Sequence, residues 1–198
     1  MNRVTATSSS SATDPLLPES YPTGRYPLTP AFAIGLVGAA LAVAWPLFRS
    51  RTHMLLAQSG VALFFGLHYV LEGAITGAAM NALAFTQALL AIPLGGRPGF
   101  RLAYLGTLPL IAIALVMTWS GAASVFAGLG FALISLGRYQ LSAIRFRAFL
   151  LVAVPCWMMH NATVGSAPGL IADTCTLFTS GWMLRLDLMA AAKPTASS

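Results

Sequence analysis

From Leu102 to Gly137 the chain runs for 36 residues without a charged side chain. One helix cannot use such a run, because crossing the hydrocarbon core of a bilayer takes roughly 17–25 residues. The stretch therefore predicts two crossings, with a break at Ser120-Gly121. A second stretch, Ala148 to Leu184, covers 37 residues and holds one charge, Asp173. It predicts another hairpin, turning near Gly165-Ser166-Ala167-Pro168-Gly169. Three shorter segments precede them: Ala31–Phe48, closed by Arg49 and Arg51; Met54–Leu71, closed by Glu72-Gly73; and Ala74–Gly96, closed by Arg97-Pro98-Gly99. Each fits one crossing. The expectation is an all-α, polytopic membrane protein with seven transmembrane helices.

Composition agrees. Of 198 residues 57% are hydrophobic and 8% charged, against about 25% charged in soluble domains. A soluble globule of this size needs a far more polar surface. This excludes a soluble enzyme, a nucleic-acid-binding domain and a disordered chain. The net charge of +6 forms no dense Lys/Arg stripe and so is no nucleic-acid signal. Cys156 and Cys175 lie in apolar stretches and give no disulfide framework.

Residues 1–30 read as a disordered tail, with serines at 8–11, scattered prolines and no apolar segment that would make a cleaved signal peptide. Residues 189–198 read as a second, cytoplasmic tail. If the helices alternate in direction, nine of the eleven Lys and Arg residues fall on one side. Cytoplasmic loops carry the excess of positive charge, so the N-terminus is expected outside and the C-terminus in the cytoplasm.

The chain also repeats at an offset of 92 residues. His68 falls on His160, Gly73 on Gly165, Gly77 on Gly169 and Asn81 on Asp173, so both copies read His-x4-Gly-x3-Gly-x3-Asn/Asp. Gly38 on Gly130 extends the match without a gap. The offset spans four crossings, an even number, so both copies keep one membrane orientation. The expected layout is a three-helix repeat at 31–96, a linker helix at 100–119 and a second three-helix repeat at 121–188.

The segments Gly66-Leu67-His68 through Asn81 and Cys156-Trp157-Met158-Met159-His160-Asn161, with the Gly165-Ser166 turn, resemble the YgjV-type bacterial inner-membrane proteins over roughly Ile34 to Leu186. That family is similar in layout to the SWEET, SemiSWEET and PQ-loop transporters, two three-helix bundles joined by a linker. The resemblance implies solute contact from Asn81 and Asp173 on the third helix of each bundle, and from the aromatics Phe65 and Trp157 on the second. The Pro-Gln signature of that group is half kept, as Trp45-Pro46, with Gly137-Arg138 opposite it.

His68 and His160 near the ends of their helices, with Asn81 and Asp173 a few turns into theirs, allow two arrangements. Polar groups inside a bilayer normally face a cavity, so the four can converge on one outward-facing pocket between the bundles. Alternatively each His hydrogen-bonds its own bundle's Asn or Asp and locks the hairpin. Asp173, an acid inside a span, is expected to pair with His160 or to meet water. The leading functional expectation is a transporter of a small solute, sugar-like or another small polar metabolite, lying among membrane lipids, with no cofactor and no catalytic residues. The alternatives are a non-transporting binding or scaffold module and a His-based metal or haem site. Cys156 and Cys175 lack paired-Cys spacing, so no metal site is expected, and no catalytic motif is present.

Overall fold

A computed structural model describes residues 29–45, 48 and 50–192; almost all of the expected N-terminal tail, Pro46 and Lys193 lie outside the described residues. Among the described residues there are seven helices: α1 Pro30–Ala44, α2 Arg51–Leu71, α3 Ile75–Leu94, α4 Leu102–Met117, α5 Ala122–Tyr139, α6 Ala143–Val164 and α7 Ala167–Ala191. Three are long and apolar enough to cross a membrane: Thr52–Leu71, Ile75–Leu94 and Ala122–Tyr139. Pro30–Ala44 and Leu102–Met117 are apolar but shorter.

Local chemistry sets the boundaries. Thr29 caps α1 by accepting from Phe32 N–H at 3.1 Å, and Pro30 follows at the first helical position, where a missing N–H costs nothing. Both long uncharged stretches break where expected, each at a glycine with positive φ: Gly121 at +82° and Gly165 at +75°. Only glycine enters that region without strain. The second turn is tighter than the sequence suggested. Ser166 already caps α7, accepting from Gly169 N–H at 3.1 Å, and Pro168 and Gly169 are helical. Helix α7 runs to Ala191, three residues past the expected end of the second repeat at 188, and Asp187 within it meets Arg147 of α6 at 2.8 Å.

Each helix runs antiparallel to its predecessor, as contacts at the two ends make plain. At one end His68 near the end of α2 meets the starts of α1 and α7, and Thr76 at the start of α3 meets Thr118 after α4 and Ser124 at the start of α5. At the other, Arg138 near the end of α5 meets Gln58 of α2 and Gln87 of α3. These are called here the histidine end and the arginine end. Neighbour packing runs α1–α2–α3–α5–α6–α7 and back to α1, a ring of six, with α4 outside it against α3 and α5. Large apolar side chains such as Val116, Met117, Phe178 and Trp182 stay exposed, as lipid-facing positions should. Much of the interior is Ala, Gly, Ser and Thr, small residues that let helices approach closely, around larger buried side chains such as Phe131 and Met80.

Candidate functional site

The ring encloses a cavity of about 160 Å³, to which all six of its helices contribute residues. Its histidine end is shut by hydrogen bonds. Tyr69 donates its hydroxyl to Asn161 Oδ1 at 2.7 Å, and Asn161 Nδ2 donates to Asp173 Oδ2 at 2.7 Å. Tyr69 and Asn161 are themselves 92 residues apart. They are the residues that follow the two histidines.

The histidines sit behind this closure, each 1% exposed. His68 Nδ1 lies 2.8 Å from the Ala31 carbonyl, and His160 Nδ1 lies 2.9 Å from the Ala123 carbonyl. Ala31 and Ala123 are again 92 apart, so the two copies make the same bond. A carbonyl only accepts, so Nδ1 carries a proton in both rings. On His68 the Nε2 atom meets Ser166 Oγ at 2.8 Å. The Ser166 hydroxyl also accepts from Gly169 N–H. On His160 the Nε2 atom is buried without a partner. The position equivalent to Ser166 is Ala74, the residue capping α3, which has no hydroxyl to offer.

Below the closure lies an aromatic waist. Tyr69 stacks on Phe65, 5.8 Å between centroids at 26°, and on Trp157, 6.3 Å at 11°. At the arginine end Arg138 donates to Gln87 Oε1 at 2.7 Å and to Gln58 Oε1 at 3.0 Å. Gln87 is oriented in turn through Nε2, which donates to Thr107 at 2.5 Å and to Ser135 at 3.1 Å.

Of the six residues singled out from sequence, Phe65, Asn81, Trp157 and Asp173 line the cavity, and His68 and His160 do not. Asn81 donates to the Gly77 carbonyl of its own helix at 2.9 Å. Neither expected arrangement of the four polar residues holds. The histidines reach backbone carbonyls at the helix starts, since their Cα atoms lie one turn from the end of α2 and α6. Asp173 takes Asn161 as partner instead of His160, which is turned onto Ala123. The cavity also extends the other way from expectation: it is closed at the histidine end and runs past Val154 and Leu150 to Trp45, Phe146 and Arg138. Among the described residues no cluster of His, Cys, Asp or Glu could hold a metal ion.

Sequence reasoning passed over Tyr69, Asn161, Arg138, Gln58 and Gln87. A signal was available for most of them. Gln58 and Gln87 are strong polar groups inside apolar helices, and Tyr69 and Asn161 adjoin the matched histidines.

The family model of Imp-YgjV, bacterial inner membrane protein, matches residues 30–188, which covers all seven helices but the last residues of α7. The chain belongs to this family and is an inner membrane protein. No curated protein and no solved structure matches it.

Proposed function

We propose that this member of a bacterial inner-membrane family carries a small solute across that membrane by alternating access, about a cavity between two three-helix units, α1–α3 and α5–α7, with α4 as linker. The 92-residue correspondence supports the two-unit reading, because His68 and His160 bind equivalent carbonyls. The single observation that carries the proposal is the Tyr69–Asn161 bond, which joins α2 to α6 across the end of a cavity that extends toward the opposite end. A carrier needs a site closed on one side by contacts weak enough to break. A net hydrogen bond is worth about 0.5–1.5 kcal/mol, which suits an equilibrium between states a few kcal/mol apart. The cavity residues Phe65, Asn81, Trp157 and Asp173 contact the solute, while the histidines fasten the closing end. No covalent chemistry is involved.

A second reading, a non-transporting membrane module, draws on the dryness of the two histidines. Uptake by proteoliposomes, measured over a panel of small sugars, amino acids and carboxylic acids, separates the two. Transport predicts protein-dependent, saturable uptake of at least one solute, reduced in Asp173→Asn together with its pH response, since only the carboxyl can exchange a proton. Saturable uptake that Asp173→Asn leaves unchanged in rate and pH profile makes Asp173 structural. No uptake above protein-free liposomes over the whole panel sinks the carrier reading.

A further inference from the structure

Among the described residues no acid balances the charge at the arginine end of the cavity. Arg138 lines the central cavity and also a second, wider space of about 390 Å³ that opens beside it, lined by Phe100, Arg101, Tyr104 and Tyr139. Its two protein partners, Gln58 and Gln87, are neutral amides. They orient the guanidinium and leave its charge whole. Three acids lie among the described residues. Glu72 is exposed after α2, at the histidine end; Asp187 is bound to Arg147; Asp173 is bound to Asn161 at the far end of the cavity. Arg101 adds a second cation at the mouth, its guanidinium 5.1 Å from the centre of the Tyr139 ring.

A guanidinium has five N–H donors, and two are used here. The other three have no protein acceptor among the described residues. Arg138 is half-buried, and an oriented arginine with free donors suits a carboxylate or phosphate group geometrically. We infer that Arg138 is the docking point for the anionic head of a small organic anion, which enters from the arginine end and rests its apolar part on the cavity wall at Ile134, Phe146 and Leu150. A cavity of about 150 Å³ lined by apolar groups holds a molecule the size of benzene, so a body of roughly six to nine non-hydrogen atoms fits the 160 Å³ measured here. The inference rests on reading the cavity as a solute site. It narrows the solute from any small polar metabolite to an anionic one.

The test uses the full chain in lipid nanodiscs, with the fluorescence of Trp45 and Trp157, both on the cavity wall, as the readout at constant ionic strength. The probes are cyclohexanecarboxylate, its uncharged amide and inorganic phosphate. The expected result is a saturable response to the carboxylate, to phosphate or to both, with the amide silent. Affinity should fall about 10- to 100-fold in Arg138→Gln, the loss of a hydrogen bond to a charged group, and less than tenfold in Arg138→Lys, which keeps the charge and loses the fork. A response to carboxylate alone assigns an organic acid, and a response to phosphate alone assigns a phosphorylated solute. A structural role for Arg138 would move all probes equally and would not be rescued by lysine. The inference is overturned if no anion gives a saturable response, if the amide binds as well as the acid, or if Arg138→Gln binds as the parent does. Anion binding without any flux keeps it and removes the carrier reading; flux of neutral solutes without anion binding does the reverse.

Discussion

Replacing Gly77 by alanine places a methyl group 2.5 Å from His160 Nε2 and 3.1 Å from both His160 Cε1 and Tyr69 Cδ2. Real Cβ contacts do not come so close, so something must move. Tyr69 is held by Asn161, and His160 by the Ala123 carbonyl. Turning the imidazole away breaks the latter bond and strands a second buried polar atom, at about 1–3 kcal/mol. Keeping it in place overpacks the site, at about 1–3 kcal/mol. Alanine's better helix propensity returns about 0.5–1 kcal/mol. The cheaper of the two routes puts the net loss at roughly 1–2.5 kcal/mol. In a chain of this length each kcal/mol lowers the unfolding midpoint by about 2–4 °C, so the expected drop is roughly 2–10 °C. The measurement is thermal unfolding of the purified protein in one detergent, followed by far-ultraviolet circular dichroism. Gly106→Ala is the companion variant. It is also inside a helix, and a Cβ there meets nothing within 4 Å, so it should match or slightly exceed the parent. Equal midpoints for Gly77→Ala and Gly106→Ala would refute the placement of His160 against α3.

Two further expectations follow from the same end of the molecule and from the charge pattern. Ser166→Ala should cost about 1–3 kcal/mol by removing both the cap of α7 and the partner of His68, whereas Ala74→Ser should gain about 1 kcal/mol by capping α3 and meeting His160 Nε2; unfolding midpoints that move in the same direction for both variants contradict this. If the Arg-rich end faces the cytoplasm, as the excess of Lys and Arg on that side leads one to expect, a fluorescent protein fused after Ser198 should fold and glow and an alkaline phosphatase fusion there should be inactive; the reverse pattern inverts the orientation.

Helix number and helix breaks were legible because charges and glycines mark them directly. Runs without charge are long enough to count crossings, and Gly121 and Gly165 hold the positive φ that their turns require. Helix ends were less legible where a charge belongs to the helix. Arg138 reads as a loop residue after Gly137, yet α5 runs on to Tyr139 and carries it into the cavity wall. The sites fared by the same logic. Position along a helix fixes depth, so Asn81 and Asp173 could be placed at the level of a cavity from the repeat, and Phe65 and Trp157 from the family resemblance. It does not fix which neighbour a rotatable ring turns to. Both histidines had an Asn or Asp at similar depth, and both took a backbone carbonyl instead.

The two copies differ at the positions where they meet, and the differences have a physical reason. Tyr69 and Asn161 face each other, and the longer phenol of one copy reaches the amide oxygen of the other at 2.7 Å. Ser166 ties His68 to α7, and Ala74 leaves His160 Nε2 without a partner. Opening the histidine end under the proposed mechanism therefore breaks three side-chain bonds between the units, Tyr69–Asn161, His68–Ser166 and Thr76–Ser124, instead of four. Three such bonds come to about 1.5–4.5 kcal/mol, which leaves the open form populated at between roughly one part in two thousand and one in fourteen. A fourth bond would lower that population about two- to tenfold. Ala74→Ser supplies it. The variant should unfold at a higher temperature than the parent and carry solute more slowly, two changes of opposite benefit from one hydroxyl. Greater stability with unchanged uptake would mean that the histidine end does not open during transport.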